Sequence, residues 1–210
     1  MFLSLIIPAY NEEKRIKQTL VKYFNVLLKN NFNFEIIVEM DGCTDRTPEI
    51  VRNFAKKHKQ IKILEFKKKL GKGGGILKGF EKANGEIIGF VDADGSVHPD
   101  DIVKLIKVLE KTKADGVIAS RRMKESVVIN QPFLRKVLSK CFNILVRILF
   151  FFPYKDTQCG AKFFRKNVIK EILPLMNTHG FAFDVELLYL IKKKGFKVVE
   201  VGVTWEDKHG

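Results

Sequence analysis

Along the first 120 positions, short apolar runs alternate with stretches whose apolar residues recur every three or four places. The runs at 2–7, 34–39, 61–66, 87–91 and 116–120 read as buried strands. Between them, Ile16, Leu20, Tyr23, Phe24 and Leu27 share one helical face, as do Ile50, Val51 and Phe54. Ile76, Leu77 and Phe80 form a third such face, and Ile102, Leu105, Ile106 and Leu109 a fourth. The boundary residues agree with this reading. Asn11 followed by Glu12 and Glu13 predicts a capped helix start, Thr47 before Pro48 predicts another, Asn84-Gly85 a stop and Pro99 a further start. Regular strand–helix alternation predicts an α/β fold, a doubly wound and mostly parallel sheet in a single domain.

The second half is less regular. A helical stretch is expected at 132–152, a loop then a strand at 155–165, a helix at 182–194 closed by Gly195, and a final alternating strand at 196–205. The apolar residues of 144–152 fall on nearly all sides of a helix and are preceded and interrupted by Arg135, Lys136, Lys140 and Arg147. A core helix with snorkelling cations would have this pattern. So would a helix lying in a lipid interface or a dimer contact; the excess of apolar positions favours the membrane surface.

A chain of 210 residues, 46% hydrophobic and 30% charged, can bury a sizeable core. Its net charge of +14 predicts affinity for polyanions. No nucleic-acid signature accompanies the charge, and Lys67–Lys69 and Lys192–Lys194 read as solvated surface, so nucleic acid is not the expected partner. The start lacks a basic leader, and no apolar run is long enough to span a bilayer. Cys43, Cys141 and Cys159 lack paired-ligand spacing and suit reduced thiols.

The chemistry gathers where the predicted strands end. The run 87–91 breaks into Asp92-Ala93-Asp94-Gly95, and alternation sends both carboxylates to one side. Two acids without a nearby His or Cys make a hard oxygen site suited to Mg²⁺ or Mn²⁺ with substrate phosphates, although Asp-Gly is also ordinary turn chemistry. Asp41 and Asp45 follow the second strand and are readable as turn and capping residues. Lys72 among Gly71–Gly75 opens a helix where backbone amides could hold a diphosphate, and this is no Walker loop. A parallel sheet brings these ends to one edge together with Pro8, Tyr10 and Glu12 after the first strand and Arg121 after the fifth, which makes five accidental clusters hard to accept.

In order and spacing these pieces resemble family 2 glycosyltransferases of the GT-A fold, in particular the synthases of dolichyl- or polyprenyl-phosphate sugars. The likeness runs through 7–12, 41–47, Gly71-Lys72-Gly73-Gly74, Asp92-Ala93-Asp94, Ser120-Arg121, Arg135-x3-Ser139-x3-Asn143, Asp156-Thr157-Gln158-Cys159-Gly160 and 181–188. The resemblance implies a Rossmann-like nucleotide-sugar half at 1–121 and an acceptor half at 122–210 with the interfacial helix. Pro8, Ala9, Tyr10, Glu12, Asp41, Lys72, Asp92, Ala93 and Asp94 would bind the donor, UDP-glucose or GDP-mannose. Asp92 and Asp94 would carry the metal. Arg121, Arg135 and Lys208 would meet acceptor phosphate, and the catalytic set would be Asp92, Asp94, Arg121 and Arg135.

The implied reaction is inverting hexose transfer to a polyprenyl phosphate, by a peripheral protein on the cytoplasmic face of a membrane. Its rivals are transfer to a soluble sugar or protein hydroxyl, for which Asp184 must serve as base, and non-catalytic nucleotide binding at a membrane surface. For Asp184 itself a capped helix start is the expected role. Met40 departs from the family aspartate, and the family pattern continues past Gly210, leaving the Lys208 loop incomplete by that pattern.

Overall fold

The computed structural model describes residues 1–208; the motif expected to follow Lys208 falls outside the described residues. In the first half β1 (Phe2–Ala9), β2 (Asn33–Asp41), β3 (Ile61–Phe66), β4 (Ile87–Val91) and β5 (Gly116–Ser120) alternate with four helices. These are α1 (Ile16–Lys29), α2 (Thr47–Ala55), α3 (Lys72–Lys82) and α4 (Pro99–Lys111). The second half adds β6 (Val127–Ile129), α5 (Phe133–Phe150), β7 (Ala161–Arg165), α6 (Lys166–Ile172), α7 (Phe183–Lys193), β8 (Val198–Gly202) and β9 (Thr204–Glu206).

One seven-stranded sheet, ordered β3-β2-β1-β4-β7-β5-β8, forms the centre, and β6 and β9 make a small separate ribbon. The strands lie parallel except β7, which runs against both its neighbours, β4 and β5. Alternate strand residues feed two cores. Leu3, Leu5 and Ile7 pack with Leu20, Val51 and Leu105 on one face; Ile6 and Ile37 pack with Ile76, Val168 and Leu188 on the other. Each fully buried Leu or Ile of this kind contributes about 1.5–3 kcal/mol of transfer free energy. Burial on both faces explains why the strands read as unbroken apolar runs.

The antiparallel β7 has a consequence for the site. Its first residue, Ala161, pairs with Val91 at the carboxyl end of β4. The segment before it is therefore carried to the edge where the parallel strands finish, and the Asp92 N–H donates to Gly160 O at 3.0 Å. Gly89 makes this pairing possible, because a Cβ there would collide with the Phe163 ring.

Three sequence expectations change. Asn11 does not cap a helix: it sits at φ +53°, accepts from the Thr44 N–H at 2.8 Å and so ties two loops together, while α1 starts a turn later. The alternation of 196–205 is divided between β8 and β9, since Gly202 is gripped by Glu125 and Lys104 and the chain leaves the large sheet there. The short α6 and β6 were not expected. The core-helix reading of 132–152 also fails. In α5 just Asn143 and Val146 are buried, while Phe133 is 81%, Leu138 60% and Ile148 65% exposed. No helix of the described residues is long and apolar enough to cross a membrane.

Candidate active site

At the carboxyl edge of β1, β2 and β4 lies a cavity of about 420 Å³. Pro8, Ala9, Tyr10, Glu12, Asp41, Lys72, Asp92, Ala93 and Asp94 all line it, so the nine residues expected at a donor site come together. The sheet accounts for this: β1, β2 and β4 are parallel neighbours, and their loops leave from one edge. Thr19 donates to Ala93 O at 2.8 Å, which pins the backbone between the two acids to α1.

Lys72 Nζ stands 2.7 Å from Asp92 Oδ1. Burial works against the Lys72 charge, but Asp92 and Asp184 more than offset it, and its pKa lies above the ordinary lysine value. Asp94 Oδ1 accepts from the Ser96 N–H at 2.8 Å. For Glu12, burial raises the carboxyl pKa and nearby Asp94 and Asp45 add to that, whereas Arg15 opposes it at 2.7 Å. Asp92 and Asp94 present hard oxygen donors on a cavity wall. Among the described residues no three His, Cys, Asp or Glu side chains gather to cage a metal. Two carboxylates completed by phosphate oxygens is the usual mode for Mg²⁺, so the donor set fits Mg²⁺ or Mn²⁺ in that mode.

The structure assigns structural work to several of these groups. Asp41 accepts the N–H of Leu70 and, at 2.9 Å, that of Gly71, fixing the loop ahead of α3. Asp45, one residue before the α2 N-cap, accepts the Thr47 N–H at 2.9 Å and the Glu13 N–H at 3.0 Å. The glycine amides expected to face a diphosphate are largely engaged: Gly74 N–H donates to His179 O at 3.0 Å and Gly75 N–H to Gly71 O at 2.9 Å. Close packing explains these glycines. A Cβ on Gly73 would meet Phe183 and one on Gly75 would meet Glu39.

The basic residues expected at acceptor phosphate are placed at the same edge, each beside an acid. Arg121 bonds both oxygens of buried Asp156, at 2.7 and 2.9 Å. Burial opposes both charges, yet the hydrogen bonds and mutual attraction hold Asp156 below and Arg121 above their ordinary pKa values. Arg135 bonds Asp207 at 2.8 and 2.7 Å. The two guanidinium groups lie 5.3 and 5.7 Å from the Trp205 ring. Lys208 Nζ is 3.8 Å from Glu206, and its carbonyl accepts from Arg15 at 3.0 Å.

Asp184 is neither a helix cap nor an open base. It is buried in the first turn of α7 and bonded to the fully buried Lys162 at 2.5 Å. Arg15, Lys69, Glu39, Gly180 and Phe181 also line the cavity and were not expected there. Lys69 is exposed, as expected, and lies 3.6 Å over the Tyr10 ring. Glu39 carried a legible signal, a charge between the apolar Ile36–Val38 run and Met40. It is wholly buried, neither carboxylate oxygen has a partner, and burial, then the Asp41 charge, raises its pKa to about 8. Cys43, Cys141 and Cys159 are free thiols, Cys159 pushed up to about 12 chiefly by burial.

The family model described as Glycosyl transferase family 2 matches residues 4–173. The chain belongs to glycosyl transferase family 2. Among curated members, the dolichyl-phosphate beta-glucosyltransferase of Dictyostelium discoideum is 33% identical over 100% of this chain and 68% of its own length. The protein of the same name from Saccharomyces cerevisiae is 34% identical, again over 100% and 68%. This family 2 chain thus spans about two thirds of the length of those relatives. Among solved structures, glucosyl-3-phosphoglycerate synthase from Mycobacterium tuberculosis with Mn²⁺, UDP-glucose and phosphoglyceric acid superposes with a TM-score of 0.72 at 16% identity, over 97% of this chain and 70% of that one. S. aureus TarS 1–349 with UDP-GlcNAc gives 0.67 at 20% identity, over 100% and 60%. The fold of this glycosyltransferase is GT-A, as the motifs implied.

Proposed function

We propose that the chain transfers glucose from UDP-glucose to a polyprenyl (dolichyl) phosphate, with inversion at the anomeric carbon. The observation that carries this reading is the convergence of Lys72, Asp92 and Asp94 on one cavity while the candidate base, Asp184, is locked to Lys162. Relatives named dolichyl-phosphate beta-glucosyltransferases support glucose over mannose. Residues 1–121 supply most of the donor wall, to which Gly180 and Phe181 add, and the remainder carries most of the acceptor side. Peripheral attachment to a membrane surface through α5 follows from its exposed apolar arc.

An acceptor phosphate oxygen is already anionic at neutral pH. It forms a bond to C1 of glucose as the bond from C1 to the diphosphate breaks, and UDP leaves, with no proton to remove. A hydroxyl acceptor would need a free base, and an Asp184 held by a buried ammonium disfavours that alternative. Pro8, Tyr10, Glu12 and Asp41 form the walls on the nucleoside side. Asp92 and Asp94 would hold Mg²⁺ or Mn²⁺, which when bound supplies positive charge to the departing diphosphate. Lys72 adds charge at the same edge from within this chain. Arg121 and Arg135, kept in place by Asp156 and Asp207, lower the repulsion between two approaching anions.

The test pairs labelled UDP-glucose or GDP-mannose with polyprenyl phosphate and Mg²⁺ or Mn²⁺. Label from UDP-glucose should pass into the organic phase, and EDTA should abolish that transfer. Label that stays water-soluble with every acceptor would overturn the reading.

A further inference from the structure

Bordered by Arg121, a hollow of about 470 Å³ that shares no lining residue with the donor cavity opens under α5. Arg122, Lys136, Lys140, Arg147 and Lys155 wall it, Arg121 closes one side, and no carboxylate is among its lining residues. None of these five side chains is in an ion pair among the described residues, unlike Arg121 and Arg135. Arg122 is the most confined of them. Its Nη2 donates to Ser139 Oγ at 3.1 Å, while its Nε is buried without a partner. Burial lowers the Arg122 pKa and the like charges of Arg121 and Arg147 add to that; Asp156 opposes them but is already held by Arg121. A cation under those conditions gains from an anion brought in from outside.

Spacing on α5 sets the length of the site. Lys136, Lys140 and Arg147 fall at intervals of four and seven residues, so they form one stripe along the helix. From Lys136 to Arg147 this stripe covers ~16 Å at about 1.5 Å per residue. Beside it α5 presents Phe133, Val137, Ile144 and Ile148, all exposed, and the apolar arc continues round the helix to Leu134, Leu138 and Leu145. Asn143 anchors the inner face: in the orientation that satisfies its amide it donates to Lys155 O at 2.9 Å and accepts from Thr157 N–H at 3.1 Å. The stripe is thereby held against the Lys155 segment and the hollow kept open.

We propose that this groove is a headgroup site for anionic bilayer phospholipids, taking their phosphodiester groups while the adjoining apolar arc enters the acyl layer. It deepens the membrane-surface reading above and rests on it. The acceptor's own phosphate shares the same chemistry, an anion on an apolar chain. A single phosphomonoester brings about two negative charges at most, against five unpaired cations, three of them spread over three turns of α5. Several lipids of a surface match that array; one acceptor does not.

The experiment is flotation of the full chain with vesicles of phosphatidylcholine alone or containing phosphatidylglycerol, comparing wild type with a Lys140→Ala/Arg147→Ala variant. Each cation near an anionic surface is worth roughly a five-fold change in partition, so the variant should lose about 25-fold on the phosphatidylglycerol vesicles. Partition to phosphatidylcholine should not change, and UDP binding in solution should stay at the wild-type level, reporting a folded donor side. An unchanged partition on phosphatidylglycerol, or an equal loss on both vesicles, overturns the proposal. So does an acceptor KM about 25-fold higher with detergent-dispersed polyprenyl phosphate and no phospholipid, which would give the groove to the acceptor. Displacement from vesicles by millimolar inorganic phosphate at constant ionic strength would make it a free-phosphate site instead. A wild type that floats as expected yet transfers no glucose would sink the transferase reading and leave the groove standing.

Discussion

Asp94 and Glu39 lie on the same cavity and behave oppositely. Asp94 has one oxygen satisfied by the Ser96 N–H, an acceptor role that asparagine keeps. Asp94→Asn should therefore preserve the fold while lowering glucosyl transfer by about 10²–10³-fold, the usual cost of removing one preorganised electrostatic group. Equal rates for the two proteins would remove Asp94 from the proposed machinery. Glu39 has no partner, and its pKa is raised from 4.5 to about 8 by burial and then by Asp41. The folded state thus binds one more proton than the unfolded chain between those values. Its contribution to stability is full below about pH 4.5 and is lost as pH rises to about 8. Glu39→Gln should melt like wild type at pH 5 and be more stable by about 1–3 kcal/mol above pH 8, because no buried anion forms. Parallel urea curves at the two pH values check this, and a variant that is equally pH-sensitive would rule it out.

At the scale of elements, α5 stands apart from the other helices. Its neighbours bury a stripe against the sheet, whereas α5 is fixed by Asn143, Val146 and the stacked Phe150 and Phe152 rings and leaves most of its apolar surface outside. Ile148→Ser/Leu149→Ser should consequently shift unfolding free energy by no more than about 0.5 kcal/mol per site. The same change should sharply reduce flotation with vesicles of either composition, which separates the apolar arc from the cationic stripe. A large loss of stability would mean that the arc is covered within the folded protein. β7 is the other instructive element. It was legible as a strand, but nothing in 161–165 by itself tells which way it runs. Direction was decided by pairing with β4 and β5, and it brought Asp156 and Gly160 to the site.

At the scale of the whole molecule the net charge of +14 acts as a field. Raising salt from about 0.1 to about 1 M shortens the screening length from roughly 10 to 3 Å. Flotation with anionic vesicles should fall at least ten-fold across that range, and the residual binding should match that to neutral vesicles. Salt-independent flotation would assign attachment to apolar contact alone.

The strand–helix order of the first half, the two-sided burial of the sheet and the gathering of Glu12, Asp41, Lys72, Asp92 and Asp94 at one edge were readable in the sequence. All are consequences of local rules: apolar period, end signals, and the fact that parallel strands finish at one edge. Ion pairing was not readable in that way. Arg121 finds Asp156 from 35 positions away, Arg135 finds Asp207 from 72, and Lys162 on β7 takes Asp184 on α7 from 22. A charged side chain looks the same in a one-dimensional chain whether its partner is a ligand, water or a distant residue. Tertiary packing chooses among them, because burial makes an unpaired charge costly and so settles which cations are held in place by a partner within the chain and which are not.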